Sequence, residues 1–455
     1  MGRIGIVFLV NFYWTLMVGG SGIGIGLPDV EIGRKVVPFM PVVVFLAYDN
    51  VDSLERTLTS FEESVLGFRK FHSYVSVDSG GDVDGIRTAV EKREWVRDLW
   101  IYNRSKDDED YHLPAPHTSR FYITRHYRSV FQRAFGNDTM YTHAILFEDD
   151  FLFAPDVLGY FESTWWLLDA DPTLFCISAW NDNGIPRFAT NSTILRRTDI
   201  FPGLGWMMKR SLWQHQLSKS WPIVATSGWD HWIRLPEQMK GRSCIFPEVS
   251  RIFHFWSKGT NVARSEYEKI FSKIVLQQSA VVDYGNLEYL IDEYYHREIA
   301  EAVREAKRVR HVAHLPRAST PFKSQSKSLA LLYKREEYYG TVAKRLGIIP
   351  QPRGSYKGVT ILRDGETYIL LVDVRKCPFL SPEEKLSPAS NVTFVAGDLN
   401  QSCNVACGKN KATCSSAELE FANDCAKLKE YFPCEGGCGE IGIPRMHPGA
   451  DAEDE

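Results

Sequence analysis

The sequence has no internal repeat, no dominant charge sign and no long uninterrupted apolar run, and only two of its nine cysteines precede residue 377. Without a repeat, solenoid and propeller architectures are excluded. Lys and Arg number 53 against 57 Asp and Glu, a net charge of −4, and this excludes the basic surface that general nucleic-acid affinity needs. With so few cysteines before residue 377, most of the chain must be held by a core rather than by disulfides. At 455 residues and 44% hydrophobic, such a core is available, as one large α/β domain with an addition or as more than one domain.

The one leader-like stretch is short. Arg3 precedes an apolar run from Ile4 to Val18, interrupted by Asn11 and Thr15 and followed by the glycine-rich piece Gly19 to Gly26. A full span needs about 20 apolar residues. The run fits a cleaved secretory signal or an uncleaved type II signal anchor; the plainer alternative is the buried first helix of a cytosolic protein. Sequons at Asn103, Asn137, Asn191, Asn391 and Asn400 are compatible with the secretory pathway. So is the C-terminal cysteine crowd: Cys403, Cys407, Cys414, Cys425, Cys434 and Cys438, with Cys377 upstream. In an oxidising compartment these read as bridges, and a zinc site is the weaker reading.

From Val36 onward, short apolar runs alternate with amphipathic stretches. Strands are expected at Val42–Ala47, Tyr74–Val77 and Ala144–Phe147, and helices at Leu54–Val65, Val83–Val96 and Arg120–Phe135. This alternation implies a mainly parallel sheet with helices on its faces, whose ligands bind beyond the carboxyl ends of the strands. Three of those ends carry acids: Asp49, Asp78 and Asp149-Asp150. A charged helix is expected over Val281–Arg308. A short helix and two strands follow, joined by the hairpin signal Asp364-Gly365.

Glu148-Asp149-Asp150 crowds three acids behind an apolar strand, a costly arrangement unless something positive joins them. A hard divalent cation with a nucleotide diphosphate suits carboxylate oxygens, and a solvated acidic loop is the alternative. Trp229-Asp230-His231-Trp232 offers an acid between tryptophans, either a desolvated general base or a cap on a helix Trp232–Met239. Ser178 to Gly184 and Phe201 to Trp206 read as turns at the same edge, either ordinary or shaped for a ligand.

These segments, in this order, resemble the β-1,2-N-acetylglucosaminyltransferase I family, which also includes the protein O-mannose β-1,2-N-acetylglucosaminyltransferase. The likeness rests on Phe147-Glu148-Asp149-Asp150, the run Ala170 to Gly184, the run Arg197 to Trp206, Trp229-Asp230-His231-Trp232 and Pro247-Glu248-Val249-Ser250-Arg251. It extends from about Val36 to Val372 and leaves the cysteine module outside. The resemblance implies a GT-A fold and inverting transfer of GlcNAc from UDP-GlcNAc to the 2-hydroxyl of an α-mannose on a mannose-terminated glycoprotein glycan. It implies Mn²⁺ on Asp150, the donor ribose on Asp149, and the transferred sugar near Glu148. Asp78 and His126 would contact the uridine diphosphate, Asn261 would lie in a loop over the donor, and Asp230 would be the base; apart from the resemblance, the aromatic Trp229 beside that acid can stack on a sugar. It also implies a Cys176–Cys244 disulfide and a Golgi membrane location, type II with a lumenal catalytic domain, or secretion if the leader is cleaved.

The expected organisation is a leader and stem over residues 1–35, a GT-A domain over 36–310 and a basic linker over 311–328. A C-terminal αβ piece over 329–375, a small disulfide-rich module over 376–440 and a disordered acidic tail over 441–455 complete it. Two departures from the family stand out. A second bridge is missing, with Tyr48 and Ser79 at its two positions. Asn50 replaces a donor-contacting arginine. Transfer to an O-mannosyl acceptor, or a catalytically silent sugar-binding protein, are the competing readings.

Overall fold

A computed structural model describes residues 39–412, apart from 106–117, 138, 223–226, 256–270, 310–311, 316–326, 335, 387–394 and 396–400. The leader, the acidic tail, Asn261, most of the basic linker and Cys414, Cys425, Cys434 and Cys438 lie outside the described residues.

The first four long strands are β1 (Pro41–Ala47), β2 (His72–Asp78), β3 (Val96–Tyr102) and β4 (His143–Glu148). They lie in the order β3-β2-β1-β4, all parallel, with Leu46 opposite Glu148 and Ala47 opposite Val77. The apolar run Val42 to Phe45 is wholly buried, as a strand covered on both faces must be. The connecting helices are α1 (Val51–Ser64), α2 (Val83–Glu91) and α3 (Ser119–Ala134).

After β5 (Phe151–Phe153) and α4 (Val157–Ala170), the sheet is extended by β6 (Leu174–Ser178), β7 (Leu195–Thr198), β8 (Trp206–Lys209) and β9 (Ser243–Pro247). Its full order is β3-β2-β1-β4-β8-β6-β9-β7. Strand β8 runs antiparallel to β4 and β6, so the sheet is mixed but mainly parallel. Cys176 and Cys244 face each other across β6 and β9, 4.7 Å apart at Cα, and form the expected disulfide.

A second sheet of five strands comprises β11 (Lys307–Val309), β12 (Ser328–Tyr333), β13 (Ser355–Tyr356), β14 (Val359–Asp364) and β15 (Thr367–Asp373). Gly365 takes φ +61° in the β14–β15 hairpin, as the Asp-Gly pair implies. Buried polar contacts dock this sheet on the first. Glu248, 2% exposed, pairs with Arg196 and Arg363, and the Lys357 backbone N–H donates to Asp199 at 2.6 Å.

Three helix expectations need correction. The helix from Val83 ends at Glu91, where the Arg93 guanidinium donates to the Ala89 carbonyl and Trp95 and Val96 turn inward to start β3. The helix around Trp232 is two pieces, Trp229–Ile233 and Pro236–Met239, because Pro236 cannot continue the first. The charged helix is confined to Asp292–Glu305, and Lys307 to Val309 leave it as a strand. In the cysteine-rich region a helix covers Cys403–Lys409. Cys377 is buried with no disulfide partner among the described residues.

Candidate active site

The parallel neighbours β2, β1 and β4 bring the acids at their ends to one edge: Asp78, Asp49 and Glu148-Asp149-Asp150. The acidic turn is pinned from behind by α1. Ser53 Oγ and Thr57 Oγ1 donate to the Asp149 carbonyl at 2.7 and 2.8 Å, and Thr57 Oγ1 accepts the Phe151 N–H at 3.1 Å. Ser60 Oγ accepts the Phe153 N–H at 3.1 Å. Positions 53, 57 and 60 share one helix face, so a single hydroxyl stripe fixes the turn.

The acids are not equivalent. Burial, then the charge of Asp150, pushes the Glu148 carboxyl up to about 7, while the Tyr127 hydroxyl donates to its Oε1 at 2.7 Å. Burial, then Asp150 and Glu148, raises Asp149 well above the usual carboxylate range. Asp150 Oδ2 meets His254 Nε2 at 3.0 Å. Burial pulls that imidazole down, but the hydrogen bond and charge of Asp150 outweigh it, and the net shift is upward. Asp150 Oδ1 is buried and has no hydrogen-bond partner among the described residues.

That orphaned oxygen tests the expected cation. Among the described residues no group of three His, Cys, Asp or Glu side chains could hold a metal. Mg²⁺ and Mn²⁺, however, are commonly held by one or two carboxylates with substrate phosphates completing the shell. A lone aspartate with an open, desolvated oxygen fits such a cation.

Facing the acids, Gly228 at φ +98° starts the helix Trp229–Ile233. A Cβ at Gly228 would come 2.9 Å from Asp230 Oδ1, so the position is reserved for glycine twice over. Asp230 does not cap the helix, contrary to its structural alternative. Its Oδ2 accepts from Arg234 Nη1 at 2.7 Å, while Arg234 Nε donates to the Phe201 carbonyl at 3.0 Å. Asp230 Oδ1 makes no hydrogen bond among the described residues. Trp229 is 5% exposed and packed among Tyr127, Phe201, Trp206 and Trp221, with Tyr127 at 4.0 Å between centroids. The expected sugar platform at Trp229 is therefore corrected: the ring is core, and it supports the residue beside it. Tyr127 joins the two sides, touching Glu148 through its hydroxyl and Trp229 through its ring.

Asp78 is buried at the end of β2. His126 lies behind it, bonded through Nε2 to Ser76 Oγ at 2.8 Å and stacked on Tyr102 at 5.7 Å. Burial holds His126 down at about 4, so the ring is neutral at physiological pH. Asn50 has a local explanation: its Oδ1 accepts the Ser53 N–H at 3.0 Å and caps α1. The turn Ser178 to Gly184 is a structural hub. Asn181 binds Glu248 and Ser250, and Asn183 binds the backbone of Ile349 and Arg353.

Sequence reasoning missed Arg234, Tyr127, His254 and the hydroxyl stripe of α1. Arg234 was findable, four residues after Asp230 on one helix face. His254 carries no local signal. Only the antiparallel pairing of β10 (Ile252–His254) with β5, which sets it opposite Phe151, brings it to Asp150.

A mixed, mainly parallel sheet with an acidic turn at the end of β4 and a second acid opposite it is the arrangement expected of a GT-A glycosyltransferase. The chain belongs to the GNT-I family, whose model matches residues 26–382. It is 32% identical over 342 residues to the α-1,3-mannosyl-glycoprotein 2-β-N-acetylglucosaminyltransferase of Arabidopsis thaliana, covering 71% of this chain and 72% of that protein. Among solved structures, S. aureus TarS with UDP-GlcNAc matches at 10% identity and TM-score 0.34, over 57% of this chain and 72% of that one. The mannosyltransferase PcManGT of Pyrobaculum calidifontis, with GDP-Man and Mn²⁺, matches at 18% identity and TM-score 0.31, over 46% and 54%. These two overlaps are too slight to add to the argument.

Proposed function

We propose that this protein is an inverting β-1,2-N-acetylglucosaminyltransferase that moves GlcNAc from UDP-GlcNAc to the 2-hydroxyl of an α-mannose on N-glycans. The observation that carries the reading is the half-anchored Asp230 facing the acidic turn, in a chain of the GNT-I family. Arg234 fixes one carboxylate oxygen and leaves the other open. That open oxygen takes the proton of the mannose hydroxyl as its oxygen bonds to the anomeric carbon. The bond to the departing UDP breaks on the opposite face, so a single displacement inverts the α-linked donor to a β product. Asp150 would hold Mn²⁺, which when bound would neutralise charge gathering on the departing diphosphate. Asp149 would orient the ribose, and Glu148, held by Tyr127, would face the transferred sugar. Asp78 and His126 would contact the nucleotide.

The same reading puts the enzyme in the Golgi lumen, tethered as a type II protein by the run after Arg3. The Cys176–Cys244 bridge and the sequons support an oxidising, glycosylating compartment. Among the described residues no helix is long and apolar enough to cross a membrane. Transfer assays with several UDP-sugars and mannose-terminated acceptors, with and without Mn²⁺, test the activity. No turnover with any UDP-sugar sinks it. Glycosidase sensitivity and microscopy of the full chain test the location.

A further inference from the structure

Three sequon asparagines lie on described residues, Asn103, Asn137 and Asn191, and the chemistry above uses none of them. Asn191-Ser192-Thr193 forms a turn into β7, closed by the Ile194 N–H on the Asn191 carbonyl. The turn is pinned to the seam between the two sheets. The Asn191 N–H donates to Glu248 Oε1 at 3.0 Å, the same oxygen that Arg363 of β14 holds. The Ser192 carbonyl accepts from the buried Arg251. The Asn191 side chain is fixed as well. Its Oδ1 accepts the Thr193 N–H at 2.9 Å and the Thr193 hydroxyl at 2.8 Å. Its Nδ2 makes no hydrogen bond among the described residues, and it is not buried. With backbone N–H and Oδ1 engaged, this half-buried residue leaves its amide nitrogen to solvent.

We propose that Asn191 is a modification site that carries an N-linked glycan. This rests on the secretory reading above. The sugar donor is an oligosaccharide on a lipid diphosphate, supplied with its transferase by the host compartment. Nδ2 bonds to the anomeric carbon as the bond from that carbon to the diphosphate oxygen breaks. One amide proton leaves, and the lipid diphosphate departs with the bonding pair. A finished fold tolerates the product where that nitrogen faces water and surrenders no native hydrogen bond. Asn191 meets both conditions. The hydroxyl that a sequon needs two residues on is present and stands at the asparagine's own amide. Thr190 and Thr193 on either side are exposed, so the glycan has open solvent to enter. The other two asparagines differ. Thr139 Oγ1 donates to the Ala134 and Gly136 carbonyls rather than to Asn137. Asn103 accepts the matching pair of bonds from Ser105, but the residue between them, Arg104, holds Asp78 through Nε and Nη2. That turn therefore stands at the proposed nucleotide edge, whereas the turn at Asn191 holds no residue of the proposed site.

The test uses the full chain, expressed with its own leader in a eukaryotic secretory host. Peptide-N-glycosidase treatment in heavy-oxygen water converts a glycosylated asparagine to labelled aspartate, which peptide mass spectrometry locates. The label is expected at residue 191, with a downward gel shift on treatment. Asn191→Asp keeps an oxygen for both Thr193 bonds but has no amide nitrogen, and it should lose one glycan's step in mobility. Thr193→Val should lose the same step. Thr193→Ser restores the hydroxyl and should restore the glycan, which guards against a fold defect as the cause. If residue 191 stays unlabelled while another sequon of the same chain is labelled, Asn191 is not the site, and the secretory reading stands without it. A label at residue 191 that survives Thr193→Val would also overturn the inference, since attachment would not follow the sequon. If no sequon is labelled, the chain does not pass through a glycosylating compartment, and the location reading falls together with this inference.

Discussion

The two sides of the candidate site are built in opposite ways. The acidic wall, proposed to receive the donor and called the donor wall below, is fixed through its backbone: β4 is locked between β1 and β8, and hydroxyls from α1 hold the main chain of the acidic turn. The wall that carries Asp230, the proposed base, is a five-residue helix with no side-chain cap, launched from a glycine and called the base wall below. Its position is carried by side chains: Trp229 in the aromatic stack, and Arg234 holding Asp230 from one turn away. The difference teaches which substitutions should separate binding from turnover. A side-chain change on the base wall should move the reacting oxygen while leaving the donor in place. On the donor wall, losing a hydroxyl should loosen the turn that receives the donor and leave the base untouched.

The sharpest break is Asp230→Asn, which preserves shape and removes the proposed proton acceptor. Turnover should fall about 10³-fold, within the usual worth of a positioned base, while calorimetry shows UDP binding unchanged. Equal loss of UDP binding would move Asp230 to the donor wall.

The next effect concerns the donor wall's buried imidazole. His126 is 5% exposed and, through burial, held at about 4 against an ordinary value near 6.5. The unfolded chain therefore binds a proton that the folded one refuses between those values. Stability conferred by the neutral ring is complete above about pH 6.5 and drains away as pH falls toward 4, reaching a loss of about 3 kcal/mol there. Denaturant unfolding across that range checks it, and His126→Gln should flatten the slope. His143, buried and held at about 3, will leave a residual dependence in both proteins. An identical slope in His126→Gln would assign the whole effect elsewhere.

Arg234→Met comes third. It keeps much of the apolar stem but frees Asp230 Oδ2, and turnover should fall about 10- to 100-fold, as losses of an orienting partner commonly do. The KM for donor should hold. A raised donor KM with unchanged turnover would erase the contrast between the walls.

Much of the donor wall was legible because it is written locally. An apolar run that must be covered on both faces ends in Glu148-Asp149-Asp150, and parallel strand order then brings those acids to the same sheet edge as Asp78, with β1 between. The Cys176–Cys244 pairing and the base candidate at Asp230 came from resemblance over long ordered blocks. What stayed hidden depends on contacts distant in sequence: His254 reaches Asp150 only through the β5–β10 ladder, and Tyr127 reaches both walls only because α3 crosses behind them. An aromatic beside an acid, such as Trp229, reads equally as sugar platform or core, and only burial distinguishes them. The expected helix from Val83 runs past Glu91 because apolar spacing continues through Trp95 and Val96, which lead into the next strand.

The smallest effect tests the comparison most finely. Thr57 is fully buried, and its Oγ1 donates to the Asp149 carbonyl while accepting the Phe151 N–H. Thr57→Val keeps the volume and the β-branch and deletes both bonds. The Asp149 carbonyl retains Ser53 Oγ, but the Phe151 N–H is left buried without that acceptor. Such an orphaned donor costs about 1–2 kcal/mol, visible as a lowered unfolding midpoint. If the donor wall is held by its backbone, the same variant should raise the donor KM a few-fold at unchanged turnover, the mirror image of Arg234→Met. Ser53→Ala, which removes only the second bond to a carbonyl that Thr57 still serves, should do less on both measures. If Thr57→Val instead lowers turnover and spares the KM, the acidic turn positions the reacting groups as directly as the base helix does, and the two walls are one device.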